Sequence, residues 1–169
     1  MCQPSNSDII AFSSVAIALL AMLATFWQAK IAREHNKLSV RPFVEHSQSR
    51  LHGGHISISI SNHGLGPAFI TNLRLIHDSF EKPLNIVEYL DWVFEHIQLK
   101  DVDYEGTNIT DETVVSSNKI ITIFEFKLLD NQEHQFLFIS EILDKTLIHI
   151  NYRCVYGKTY SYHAPLTIA

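Results

Sequence analysis

The sequence predicts a mainly β protein: an N-terminal transmembrane helix followed by an immunoglobulin-like β-sandwich domain with one inserted amphipathic helix. Three observations carry this. Ile9–Ala29 (IIAFSSVAIALLAMLATFWQA) is apolar and free of charge. From Pro42 the apolar period drops to two, most plainly in His55–Ser61 (HISISIS), which is the period of a half-buried strand. Only Lys82–Gln98 returns to a three-to-four spacing. The chain divides accordingly into a short tail (1–8), a membrane helix (9–29), a basic juxtamembrane helix and linker (30–41) and a soluble domain (42–169).

Ile9–Ala29 has 21 residues. At 1.5 Å per helical residue it spans roughly 31 Å, the hydrocarbon thickness of a bilayer. Ser13, Ser14 and Thr25 are tolerable in lipid because a hydroxyl can bond back to the preceding turn. Phe26 and Trp27 fall where aromatic rings sit at headgroup level. The preceding MCQPSNSD carries no Lys or Arg, whereas Lys30, Arg33, Lys37 and Arg41 follow the run. That order is the reverse of a cleaved secretory signal. The positive-inside rule then puts the N-terminus out and the C-terminal domain in the cytoplasm.

The domain Pro42–Ala169 has the length of a single core. It carries 9 Lys and Arg against 16 Asp and Glu, a balance of −7. This sign argues against nucleic acid as a partner and predicts repulsion from an anionic leaflet, with the linker cations holding the surface instead. Cys2 and Cys154 fall on opposite sides of the predicted membrane, so no disulfide is expected.

In chain order, Lys30–Val40 extends the membrane helix, and Arg41-Pro42 ends it. Phe43–Ser47 is a first strand, Gly53-Gly54 a turn and His55–Ser61 a second strand. In Asn62-His63-Gly64-Leu65-Gly66-Pro67-Ala68 the glycines permit positive φ, and Pro67 fixes φ where the chain resumes. Phe69–His77 is a third strand. Lys82–Gln98 is the inserted helix, with Pro83 near its start and Leu84, Val87, Leu90, Phe94 and Ile97 as its stripe. Asp101–Asn118 is an acidic loop with a short strand at most. Lys119–Leu129 is a strand, and Phe136–Leu143 a strand end or a short helix. Thr146–Tyr156 and Thr159–Ile168 form a hairpin across Gly157-Lys158.

Three segments, HNKLSVRPF (His35–Phe43), SNHGLGPAFI (Ser61–Ile70) and INYRCVYGKTYSY (Ile150–Tyr162), resemble a widespread set of uncharacterised bacterial single-pass membrane proteins. Those share an Asn-x-Gly-x-Gly-Pro-Ala turn and a C-terminal Tyr-Gly β-hairpin. The resemblance spans nearly the whole chain. It implies a small β-sandwich-like domain beside the membrane and no established activity.

Candidate chemistry is sparse. His46, His52, His55 and His63 cluster in sequence, and His52-Gly-Gly-His55 has a zinc-like spacing. No cysteine partners them, and the length of a strand separates His55 from His63. A pH-sensing role would use the same residues. Asn62, Gly64, Gly66 and Pro67 form a structural turn; their spacing is not that of a phosphate loop. Cys154 would need His149 or His163 beside it to act as a nucleophile. Asp101, Asp103, Glu105, Asp111 and Glu112 lack calcium-loop spacing. Tyr156, Tyr160 and Tyr162 on the hairpin are a candidate partner surface, with packing as the plainer role.

No catalytic residue, metal or cofactor is therefore expected. The expected function is a membrane-anchored, non-enzymatic interaction module that recruits or regulates a protein. Its expected surfaces are the acidic loop, the helix Leu84–Ile97 and the Tyr-rich hairpin. The alternative is a membrane effector or sensor acting through self-association of its transmembrane helix, where Ala16, Ala18, Ala21 and Ala24 permit close contact. A hydrolase or metal enzyme built on the histidines is a third class.

Overall fold

A computed structural model describes residues 5–51, 55–79, 82–99, 102, 104–107, 109, 113–128 and 133–167. The Gly53-Gly54 turn, His52, Cys2 and four of the five acidic residues of the loop (Asp101, Asp103, Asp111 and Glu112) lie outside the described residues. The chain splits into two compact units, Met1–Ser39 and Val40–Ala169.

The first unit is one helix, α1 (Asn6–Ser39, 34 residues). It starts where Ser5 and Asp8 cap each other: the Ser5 N–H donates to Asp8 Oδ2 at 3.0 Å, and an acidic residue in the first turn favours the helix dipole. The hydroxyls of Ser13, Ser14 and Thr25 donate to the carbonyls four residues back, at 2.7, 2.9 and 2.8 Å. Their polarity is thus satisfied inside the helix, as lipid requires. No residue of α1 is buried against protein. It is long and apolar enough to cross a membrane.

The described residues of the second unit form eight strands in two four-stranded antiparallel sheets. They are β1 (Val44–Leu51), β2 (His55–Asn62), β3 (Ala68–His77), β4 (Tyr104–Gly106), β5 (Val114–Val115), β6 (Ile120–Lys127), β7 (Thr146–Arg153) and β8 (Thr159–Pro165). The first sheet has the order β1-β2-β6-β4 and the second β5-β3-β7-β8. Their inner faces share one core, with Ile56, Ile58, Ile60 and Phe124 from the first and Ile70, Leu75, Ile148 and Ile150 from the second, all essentially fully buried. Each such side chain contributes about 1.5–3 kcal/mol of burial.

Two bulges reset the period-two pattern. In β6 the register shifts opposite Ile58/Ser59, so the consecutive residues Ile123 and Phe124 are both buried. In β3 the register shifts between Ile70 and Asn72. The inward set therefore changes from Ala68 and Ile70 to Leu73, Leu75 and His77, as expected where one extra residue enters a strand.

The expected single inserted helix is corrected to two. The first, α2, spans Ile86–His96 rather than Lys82–Gln98. Asn85, not Pro83, starts it: its side chain accepts from the Glu88 N–H at 2.9 Å, and Glu88 Oε2 accepts from the Asn85 N–H at 3.1 Å, a reciprocal capping box. Leu84 instead bridges to Leu75 through two 2.9 Å backbone bonds. Past the helix, Gln98 adopts φ 56°. Its N–H and that of Leu99 close back on Glu95 and Phe94, a Schellman ending.

The second inserted helix, α3, spans Glu133–Asp144 and decides between the two readings of Phe136–Leu143. Because α1 alone takes 34 residues, helix and strand are about equal in extent among the described residues. At the end of β7, Cys154 is buried as Tyr152 is, but Tyr156 is exposed. The strand stops at Arg153, so its alternation does not reach Tyr156.

Candidate functional site

Thr146 begins β7 at the end of the sandwich where α2 and α3 meet. Its Oγ donates to the Ile142 carbonyl at 2.8 Å, which leaves the oxygen to accept from the buried Tyr89 hydroxyl at 2.7 Å. This relay joins α2, α3 and β7. Burial pushes the Tyr89 phenol up to about 12, partly offset by the Thr146 bond. Arg50 adds an outer tie, donating to Asp144 Oδ1 at 2.8 Å and to the Leu166 carbonyl at 3.2 Å.

Beside the relay, β3, α2 and α3 enclose a cleft of about 780 Å³ lined by His77, Trp92, His96, Phe138, Glu141 and Lys145 among others. The Trp92 ring lies 5.0 Å from His77 at 46° and 5.1 Å from His96 at 23°. Trp92 and His96 are four apart on α2, hence on one face. His77 Nδ1 accepts from the Ser79 N–H at 3.2 Å, which assigns the ring proton to Nε2. Burial lowers the His77 pKa, with Lys145 and His96 lowering it further against Asp78. The ring is therefore neutral at pH 7. Lys145 Nζ donates to Glu141 at 2.6 Å, and this bond raises the ammonium pKa. The Gln135 Oε1 is buried without a hydrogen-bond partner among the described residues. The cleft thus offers aromatic and aliphatic walls and rim charges of both signs, the make-up of a binding site.

Of the cleft residues, Trp92, His96 and Ile97 fall on the helix Leu84–Ile97 that the sequence offers as a partner surface, whereas His77, Asp78, Ser79 and the α3 residues fall on none of the expected surfaces. The i,i+4 pair Trp92/His96 was the available signal, but His77 and α3 join it only through tertiary packing. Of the histidine cluster, the described members His46, His55 and His63 each have a separate partner. His46 Nδ1 pairs with the Tyr162 hydroxyl at 2.7 Å. His63 Nε2 pairs with Ser61 Oγ at 2.8 Å, and His55 lies 3.9 Å from Glu125. No group of three or more His, Cys, Asp or Glu is placed to hold a metal among the described residues. His149 pairs across from His163, five residues along β7 from Cys154, so the candidate nucleophile and its bases stay apart.

The Gly-rich turn is a structural lock. Asn62 is fully buried. Its Oδ1 accepts from the Phe43 and Gly64 N–H groups, each at 3.0 Å. Its Nδ2 donates to the Gly66 and Val115 carbonyls at 2.8 and 2.9 Å. All four side-chain bonds of one amide are made, which ties the start of β1 to the turn and to β5. The expected reason for the glycines is corrected. Gly157 (φ 77°) is the positive-φ glycine among the described residues, and Gly64 and Gly66 are not. Their lack of a Cβ is needed for close approach instead: a Cβ on Gly64 would lie 2.6 Å from Pro42 Cα, and one on Gly66 2.8 Å from the Val40 carbonyl carbon.

Of the hairpin tyrosines, Tyr160 stacks on Tyr152 at 5.5 Å under the Arg41 guanidinium at 4.8 Å. Tyr162 holds His46, and Tyr156 is exposed on the turn. Trp27, Lys30, Arg33 and Lys37 lie on α1, and Arg41 belongs to the second unit. Glu105 lies on β4, while Asp101, Asp103, Asp111 and Glu112 fall outside the described residues.

No curated protein matches the chain. Among solved structures it is similar to a crystal structure of a protein from Archaeoglobus fulgidus, 8% identical, over 75% of this chain and 96% of that one, at a TM-score of 0.20. Likeness at that level carries no argument about fold or function. The match to a family model is extensive: the chain belongs to the family described as Domain of unknown function (DUF8453), whose model matches residues 9–168.

Proposed function

We propose that the chain is a single-pass protein of the bacterial inner membrane, N-terminus out and C-terminal domain cytoplasmic. In this reading Val40–Ala169 is a non-enzymatic module that binds a protein partner in the His77–Trp92–His96 cleft. The topology is supported by Lys30, Arg33, Lys37 and Arg41, all on the C-terminal side of the apolar run. An immunoglobulin-like reading of the sandwich is supported by strand order: β1-β2-β6 beside β3-β7-β8 follows the A-B-E and C-F-G order of that fold. Such a scaffold assigns no function by itself; the site does.

The observation that carries the binding reading is the cleft. It is of ligand size, and Phe138 at its wall remains 59% exposed. A partner's apolar side chain would cover Phe138 while its flanking donors meet Asp78 and Glu141. The non-enzymatic reading is supported by how the polar groups are engaged: Glu141 on Lys145, and His77 Nδ1 on the Ser79 backbone.

A photo-crosslinking residue at Phe138, installed in the full chain in living cells, tests the site. An adduct is expected from Phe138 and not from the exposed β8 position Ser161, and Trp92→Ala should weaken it. Identical adducts from both positions, or none from Phe138, would sink the reading. A compartment-sensitive reporter after Ala169 tests topology: activity of a periplasm-only reporter would overturn it.

A further inference from the structure

Charge and apolar exposure are unevenly spread over the second unit. Four segments meet at the pole opposite the cleft: the entry 40–43, the turn 63–67, the turn 116–119 and the hairpin end 153–158. Gly64 packs on Pro42 and Phe43, Ser117 Oγ donates to the Gly64 carbonyl at 2.8 Å, and Arg41 covers Tyr160. Their tips leave Leu65 72%, Phe43 56%, Tyr156 52% and Val155 49% exposed. They carry Arg41, Lys119, Arg153 and Lys158 and no carboxylate. The adjacent acid, Glu45, lies 3.8 Å from His63. A domain of net charge −7 thus presents one cationic, apolar pole.

We propose that this pole docks on anionic phospholipid headgroups, a surface distinct from the cleft. The inference rests on reading α1 as a membrane span. Chain continuity selects the occupant. Val40 follows Ser39, the last residue of α1, and the ten residues after Ala29 add about 15 Å of helix. The pole therefore holds the residues at which the chain enters the domain from α1. Charge complementarity agrees, since each cation near an anionic leaflet contributes about 1 kcal/mol, and Phe43 and Tyr156 are ring types favoured at the interface. A second copy fits worse, because a symmetric contact would set the same four cations against themselves.

The test uses the full chain in nanodiscs, with Cys2→Ser and a bimane label at Leu65→Cys or, at the opposite pole, Ser79→Cys; Cys154 is buried. Brominated acyl chains quench a label that meets lipid. In phosphatidylglycerol-containing discs, emission at position 65 should fall at least about twofold relative to phosphatidylcholine discs, while position 79 is unchanged. Lys119→Glu with Lys158→Glu should restore it, and the milder Lys→Gln pair should restore part. Equal quenching at both positions, none at position 65, or quenching indifferent to lipid charge would overturn the docking. So would label self-quenching that grows with the number of copies per disc, which would mark a contact between copies. A chain that fails to elute with the discs would overturn the span itself.

Discussion

Replacing Asn62 with Ala tests whether the Gly-rich turn holds the sandwich together. The side chain makes four hydrogen bonds in a fully buried setting. Truncation strands the Phe43 and Gly64 N–H groups and removes a donor from the Gly66 and Val115 carbonyls. A buried polar group left unpaired costs about 1–3 kcal/mol, and some of these will find water or relax. The expected loss is about 3–5 kcal/mol, a large part of the roughly 5–15 kcal/mol that holds a domain. Asn62→Asp separates hydrogen bonding from volume. It keeps both acceptor bonds but sets a carboxylate against two carbonyl oxygens. Burial and those oxygens raise its folded-state pKa, so the variant should be weakest at neutral pH and recover in part on acidification. The assay is urea denaturation of the full chain in micelles, followed by Trp92 emission in a Trp27→Phe background. A loss below about 1 kcal/mol for Asn62→Ala, or an Asp variant indifferent to pH, would refute the lock.

Gly66→Ala should destabilise by several kcal/mol through backbone collision. Gly157→Ala, with open space but φ 77°, should cost about 1 kcal/mol and Gly157→Asn less; denaturation midpoints separate the two causes. Thr146→Val should cost more than Tyr89→Phe, because it leaves the Tyr89 hydroxyl and the Ile142 carbonyl buried without each other's bridge. The expected losses are about 2–4 and about 1 kcal/mol. Burial lowers the folded-state pKa of His46 and His77. The unfolded chain therefore takes up their protons first, so stability is full above about pH 6.5 and falls as pH drops below it. Urea midpoints at stepped pH should show this slope, and His46→Gln with His77→Gln should flatten it.

How legible these features were in the sequence follows from the range of the interactions behind them. The charge-free run of α1 and the Ile alternation of β2 are local patterns, and both elements appear where the residues put them. Alternation in β3 and β6 was harder to use, since a bulge depends on the partner strand and flips parity within a few residues. In α3 the spacing Phe136, Ile139, Leu143 was present, but Leu137 and Phe138 between them also suit a strand. Only the packing of Ile139 and Leu143 into the core, with Leu137 and Phe138 left exposed, separates the two. The glycines of the turn were recognised while their reason was not: φ is a local property, whereas the approach of Val40–Phe43 is a tertiary one. The cleft lay furthest from view. His77 ends a strand, Trp92 and His96 share a helix face, and Lys145 sits past another helix; nothing in their spacing announces that three elements close on one another.

Net charge is the clearest case of a sequence quantity that averages away what matters. A balance of −7 over Pro42–Ala169 predicts repulsion from an anionic surface only if the charges are spread evenly. Potentials in solution decay over about 8–10 Å. The strand from Thr146 to Arg153 alone is roughly 23 Å long, so a flat surface at one pole of this sandwich is nearly blind to charges at the other. Asp78, the Glu141–Lys145 pair and the Arg50–Asp144 pair give the cleft end charges of both signs, whereas Arg41, Lys119, Arg153 and Lys158 make the entry end cationic. Two surfaces of different character can therefore work independently on one small domain. A partner at the cleft need not compete with lipid at the entry pole, and charge reversal at Lys119 and Lys158 should leave the Phe138 crosslink intact.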